Sequence, residues 1–255
     1  MPTALYAFGI LSRQDHPQAT LPEEQPARLE PDAPLELLSL DPLPFLALCA
    51  PTSPQTWTGP DAEPRLADLQ WVGPRALAHE EITRWSHLHF SPFVPFSLGT
   101  IFSSPQTLRD ALTPQVEILQ AYFDLTRDSD QWTLKGYIDP DQLTAASSQE
   151  PSPSSGADYL RRRRSAPRQT TLDERLQIET RNLFDQLLPL ASAHQIATTA
   201  ASKKGGTHCL FHWHFLIPRE DSQAFLSSLD EAIVPLAPFQ LDLHLQGPLP
   251  PYHFR

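Results

Sequence analysis

Proline decides where regular structure can form in this chain. There are 28 prolines among 255 residues, about twice the usual ~5%. They cluster at 17–64, 92–114, 140–167 and 235–251. Each proline fixes φ and removes a backbone donor, so long helices and central strands must lie mostly between the clusters. The clusters read as rigid loops, and the stretches between them as the folded elements.

The first half then reads in order. Thr3 to Leu11 is a short apolar run with Tyr6, Phe8 and Ile10 on one face, a buried first strand. Residues 12–34 are polar and proline-rich, a surface loop. Leu35–Leu40 and Phe45–Ala50 are strands joined by the turn signal Asp41-Pro42. A second proline-rich loop covers 51–64. Pro74 can open a helix, and Leu77, Ala78, Ile82 and Trp85 then share one face. Pro92 and Pro95 forbid helix over Phe90–Phe102, which predicts an irregular edge strand ending at Gly99. Ser104-Pro105 is an N-cap followed by proline at the first helical position. The helix it starts should break at Pro114 and end near Arg127, burying Val116, Leu119, Tyr122 and Phe123. Gln131–Ile138 alternates as a strand. This order suits an antiparallel sheet backed by helices, an α+β architecture.

Residues 140–155, rich in proline and serine, read as a linker between domains at 1–139 and 156–255. The second domain opens with a helix near Ala157 that contains Arg161, Arg162, Arg163 and Arg164. Pro167 interrupts it. Thr171 with Glu174 matches a capping box. The helix that follows carries a stripe of Leu172, Leu176, Leu183, Leu187 and Leu190, with Phe184 alongside, up to Pro189. Thr207–Ile217 is a strand. Phe225, Leu226, Leu229, Ala232 and Ile233 make a further amphipathic helix. In the last strand Leu241, Leu243 and Leu245 alternate with Asp242, His244 and Gln246. Gly247 and Pro248, Pro250 and Pro251 should stop its ladder. Tyr252 and Phe254 are then apolar anchors on a stiff tail, expected to dock against this chain or a partner.

Charge and composition exclude several functions. The net charge of −11 argues against a general nucleic-acid binder. Cys49 and Cys209 lie in apolar runs and read as buried free thiols of a reducing compartment. No secretory leader is evident at Met1-Pro-Thr-Ala-Leu-Tyr6, and no apolar run approaches the ~20 residues of a membrane span. A cytoplasmic protein is expected. Phosphate-binding glycine loops and a Gly-x-Ser-x-Gly elbow are absent.

Two clusters invite chemistry. His208, His212 and His214 share one face of the 207–217 strand, and His87-Leu-His89 offers a second pair. Histidines so spaced on a strand can chelate zinc, which would suit a metal-dependent hydrolase. No Asp or Glu sits among them, and half-exposed imidazoles on an open sheet face are the expectation. The Arg161–Arg164 run could grip an acidic partner in a regulatory binding module, or form a solvated helix face. His79, Glu80 and Glu81 are adjacent on a helix and cannot all face one substrate. The residues therefore suggest no catalytic, metal or cofactor site. They suggest aromatic, proline-stiffened surfaces for protein contact, with Arg161, Arg162, Arg163, Arg164, Pro250, Pro251, Tyr252 and Phe254 as candidates.

Five separated stretches resemble the gas vesicle GvpF/GvpL family, in the family's order. They are Leu5-Tyr-Ala-Phe-Gly9; His79-Glu80 followed by Pro95-Phe-Ser-Leu-Gly-Thr-Ile-Phe102; Gln131-Trp-Thr-Leu-Lys135; Gly156-Ala-Asp-Tyr-Leu160 with the arginines; and Gly247 to Phe254. Ser97 and Leu98 stand where the family has Arg-Phe, Gln131 where it has Glu, and Leu249 where it has Trp. The resemblance implies two α+β domains, the first ferredoxin-like, the second smaller with long helices. It implies a non-enzymatic accessory protein without cofactors that binds the shell protein GvpA and other accessory Gvp proteins.

Overall fold

The computed structural model describes residues 4–139, 172–198 and 207–254. The expected linker, the helix from Ala157, Arg161–Arg164 and the Thr171 cap lie outside these residues. The chain divides into two compact units, Met1–Gln131 with Pro248–Arg255, and Trp132–Gly247. The tail thus groups with the first unit.

In the first unit, β1 (Ala4–Ser12), β2 (Glu36–Ser39), β3 (Phe45–Thr52) and β4 (Phe93–Pro95) form a sheet in the order β2-β3-β1-β4, and β5 (Ile101–Phe102) also pairs β1. The pairings are antiparallel. This is the strand order and sense of a ferredoxin-like sheet. Its first crossover, 13–35, is a loop where that fold usually has a helix. Five prolines in it explain the substitution. Leu29, Ala33 and Leu35 are buried from this loop and fill the core space a helix would fill. Glu30 ties it to the following helix through Arg75 (3.1 Å), whose guanidinium lies 4.1 Å from the centre of the Trp71 ring.

β1 is buried along nearly its whole length, as a strand covered on both faces must be. Tyr6, Phe8 and Leu11 pack with Ile82, Phe90 and Phe93. On the opposite side of the sheet, the Phe45 ring of β3 meets Phe123 at 5.7 Å. Gly9 sits at a β-bulge, where a Cβ would come within 2.3 Å of both the Phe93 ring and the Val94 carbonyl oxygen.

Between β3 and β4 lie two short helices, α1 (Pro54–Trp57) and α2 (Ala62–Ala67), within what reads as loop, and then α3 (Leu69–His89). α3 starts five residues before the expected Pro74, because the Asp68 carboxylate accepts the Gln70 N–H at 2.9 Å and caps it. Its buried face keeps Ile82, with Ala78 and Trp85 packed against the core as expected, but turns Leu77 outward. Leu77 is 75% exposed, while His79, Ile82, Thr83, Ser86 and His87 are buried. Hydrogen bonding explains the choice: the Ser86 hydroxyl donates to the Ile82 carbonyl at 2.6 Å, and both histidines have polar partners.

The 90–102 stretch is two short strands, with Pro95 on the edge strand β4. α4 (Pro105–Leu112) begins in a reciprocal capping box of Ser104 and Thr107. A 3₁₀ turn at Pro114 separates it from α5 (Val116–Thr126), as expected.

The second unit carries the sheet β7-β8-β6-β9. Its strands are β6 (Ser129–Ile138), β7 (Ala193–Ile196), β8 (His208–Pro218) and β9 (Asp242–Leu249). β7 is largely exposed and pairs antiparallel with β8. With only four residues, it shows no alternation to reveal it. Phe211, Trp213, Phe215 and Ile217 of β8 join Trp132 and Leu134 of β6 in the core. Leu176, Leu183 and Leu187 of α6 (Leu172–Leu187) and Phe225 and Leu229 of α7 (Ser222–Ala232) cover them. β9 runs on through Pro248 to Leu249, beyond the expected stop at Gly247. It is an edge strand, where a missing N–H can face outward without losing a ladder bond.

The expectation of surface aromatics is overturned. Among the described residues the exposed large apolar side chains are aliphatic, led by Leu69, Leu77, Ile118 and Val234. The rings are needed inside, where each buries more apolar area than an aliphatic side chain.

Candidate functional site

Four sequence stretches far apart in the chain meet in the first unit. β1 contributes Tyr6, α3 contributes His79 and Glu80, the turn after β4 contributes residues 96–99, and the tail contributes Tyr252. The Gly99 N–H donates to the Tyr6 hydroxyl at 3.0 Å. The hydroxyl lies 2.9 Å from His79 Nδ1, and His79 Nε2 lies 3.1 Å from the Phe96 carbonyl oxygen. A carbonyl can only accept, so Nε2 carries the proton and Nδ1 accepts from Tyr6.

This relay is neutral at every step. Burial pushes the His79 pKa below the ordinary 6.5, outweighing the Phe96 hydrogen bond and the nearby Glu80 charge. Burial likewise raises the Tyr6 phenol to about 12, against the Gly99 hydrogen bond. Both imidazole nitrogens are occupied, so His79 locks the 96–99 turn onto α3.

Beside the relay lies an open pocket of about 470 Å³, walled by Ala76, Phe96, Ser97, Leu98 and Tyr252 around His79 and Glu80. Among the described residues Glu80 supplies its one carboxylate. The Tyr252 hydroxyl donates to Glu80 Oε2 at 2.8 Å. Glu81, the next residue, is exposed and is not among the residues that line the pocket.

The tail is clamped to its own unit. Pro250, Pro251 and Phe254 are buried, and Tyr252 is half-buried. The Tyr122 hydroxyl donates to the Pro251 carbonyl at 2.9 Å. Gln131, fully buried, accepts the His253 N–H through Oε1 at 3.0 Å, and its Nε2 lies 2.9 Å from His253 Nδ1. Period-2 alternation and proline content predict a stiff tail here. They carry no signal of the Tyr122, Gln131 and Glu80 partners, which are 129, 122 and 172 residues away in sequence.

The histidine groups behave differently from their spacing. His214 is buried, with Nδ1 2.9 Å from the Thr133 hydroxyl, which corrects the expectation of a half-exposed imidazole. His212 is half-buried, its ring 4.5 Å from that of His214. His87 and His89 lie on a helix, not a strand, so they diverge. His87 Nε2 is 2.7 Å from the buried Asp130 carboxylate, and His89 Nδ1 is 2.8 Å from the Trp85 carbonyl. Among the described residues no three His, Cys, Asp or Glu side chains converge as a metal site, so the ligand set of the hydrolase reading is not assembled. No described helix is long and apolar enough to cross a membrane.

Sheet order and the clamped tail define a two-sheet α+β protein, an architecture that solved gas vesicle proteins share. Crystal structures of GvpF from Microcystis aeruginosa (TM-score 0.67, 16% identity, 98% of each chain covered) and of GvpF from Anabaena sp. PCC7120 (TM-score 0.67, 17% identity, 99% of this chain and 95% of that chain covered) have this fold. The chain belongs to the gas vesicle synthesis protein GvpL/GvpF family, whose model matches residues 4–255. A search of curated proteins returns no match. Of the family-like stretches, those within the described residues supply the relay, the pocket wall and the tail clamp. Ser97 and Leu98, where the family pattern has Arg-Phe, both line the pocket.

Proposed function

We propose that this is a non-enzymatic cytoplasmic accessory protein of gas vesicles, which binds the small shell protein GvpA and other Gvp proteins during assembly or as a minor vesicle component. Membership of the GvpL/GvpF family over residues 4–255 carries this reading. The site geometry supports it. Tyr6, His79, Gln131 and Tyr122 are committed to internal hydrogen bonds, which organise a surface. The test is co-expression of the tagged full chain with GvpA under conditions that keep the shell protein soluble. Recovery of GvpA with the tag is expected; a clean absence of GvpA and of every other Gvp sinks the proposal.

Two parts of this reading concern residues beyond those described. We propose that 140–155 is a linker, so that limited proteolysis cuts first within it. We propose that Arg161–Arg164 engage an acidic surface of a Gvp partner. Replacing all four with Ala should weaken capture of that partner; unaltered capture removes this contact from the reading.

A further inference from the structure

The pocket beside the relay has a charge that nothing in the described protein answers. Glu80 is half-buried, and its only hydrogen bond comes from the neutral Tyr252 hydroxyl, to Oε2. Among the described residues no Lys or Arg lines the pocket, and its imidazole, His79, is neutral with both nitrogens engaged. A half-buried carboxylate that faces an open pocket can pair with a cation brought from outside.

The walls specify the cation. Phe96 and Tyr252 bring two aromatic rings, and Ala76 and Leu98 bring aliphatic surface. Rings beside a carboxylate suit a planar cation that can stack and fork at once, and the aliphatic walls suit a methylene stem. Guanidinium meets both demands; an ammonium is a compact, strongly hydrated point charge that stacks poorly. The net charge of −11 would also draw basic segments toward the surface.

We propose that this pocket receives the guanidinium group of an arginine side chain from a partner polypeptide, with Glu80 as its counter-ion and Phe96 and Tyr252 as its walls. The occupant is defined by this chemistry alone. The inference is therefore independent of the shell-protein reading and can fail or stand separately from it.

The experiment is an NMR titration of the ¹⁵N-labelled full chain with the peptide acetyl-Gly-Arg-Gly-amide. The same peptide carrying citrulline, which keeps the shape and removes the charge, is the control. Saturable shifts at residues 76–80, 96–99 and 252 are expected for the arginine peptide, with a dissociation constant on the order of millimolar. The citrulline peptide should give none. Glu80→Gln can still accept the Tyr252 hydroxyl, so the tail stays docked while binding weakens at least about tenfold. Glu81→Gln, one residue away and exposed, should bind as the native chain does. Equal shifts with citrulline, unchanged binding in Glu80→Gln, or no saturable shift with arginine overturns the proposal.

Discussion

The Tyr122 hydroxyl donates a buried hydrogen bond of 2.9 Å to the carbonyl of Pro251, joining α5 to the tail across 129 residues. Proline offers no N–H, so the tail can be fastened only through carbonyls, side chains and its few non-proline amides. The clamp uses all three: the Pro251 carbonyl, the Tyr252 hydroxyl and the His253 N–H.

Tyr122→Phe keeps the ring and strips the donor, leaving the Pro251 carbonyl without it. A loss of about 1–3 kcal/mol is expected in denaturant unfolding. Hydrogen exchange should rise first at the amides of Tyr252, His253 and Phe254. Unaltered exchange there would mean that the bond does not hold the tail.

Two glycines should respond to the same substitution with opposite signs. Gly9→Ala would place a Cβ within 2.3 Å of the Phe93 ring and the Val94 carbonyl. The carbonyl belongs to the paired edge strand and cannot swing aside, so destabilisation by about 1–3 kcal/mol or more is expected. Gly73 lies inside α3, where a Cβ would meet nothing within 4 Å beyond its own helix backbone and chain neighbours. Gly73→Ala should therefore stabilise by up to about 1 kcal/mol. Thermal melts of the two variants check both signs.

Stability should decline on either side of neutrality because the Tyr6–His79 relay is neutral. His79 titrates near 6.5 when unfolded and lower when folded. Its contribution is thus full above 6.5 and is lost as pH falls through the folded value. Tyr6 moves from 10.0 to about 12 on folding, so its contribution is full below 10 and is lost between 10 and about 12. Burial also raises the Cys49 thiol from 9.0 to about 12, which adds a loss beginning at 9. In unfolding free energies measured across pH, Tyr6→Phe should flatten the limb above 10 and Cys49→Ala the part beginning at 9. His79→Gln should flatten the acid limb. Slopes unchanged by these substitutions would refute the assignment.

The two thiols should react at different times. Cys49 is 1% exposed, and burial holds its thiol largely protonated. Cys209, expected to be buried, is half-exposed, with a pKa raised by desolvation that outweighs the pull of Lys135 and the Phe211 hydrogen bond. Thiolate is the reactive form. A disulfide reagent should therefore label Cys209 in the native protein, slower than a free thiol, and Cys49 only after unfolding. Equal native rates would place Cys49 at the surface.

Much of the fold was legible because it is local. Ser104 and Pro105 start α4, Pro114 breaks it, and Leu241, Leu243 and Leu245 declare a strand by alternation. α3 departs from its hydropathy pattern for a physical reason. Hydropathy places Leu77 inside and His79 outside, and the structure reverses them. Burying His79 is favourable only because Tyr6 and the Phe96 carbonyl satisfy its nitrogens, and those partners come from other elements. The spacing of His87 and His89 misled in the same way, since it implies a shared face only on a strand.

From sequence alone came the proline-bounded elements, the α+β class, the stiff aromatic tail and the order of the family-like stretches. Each depends on backbone dihedrals or on neighbours a few residues apart, which the chain carries in itself. Tertiary structure alone decided that Tyr6, His79, Phe96 and Gly99 form one relay, that the tail docks on its own unit, and that Glu80 faces an open pocket. Those outcomes depend on hydrogen bonds between groups as much as 172 residues apart, and no local periodicity encodes such partners.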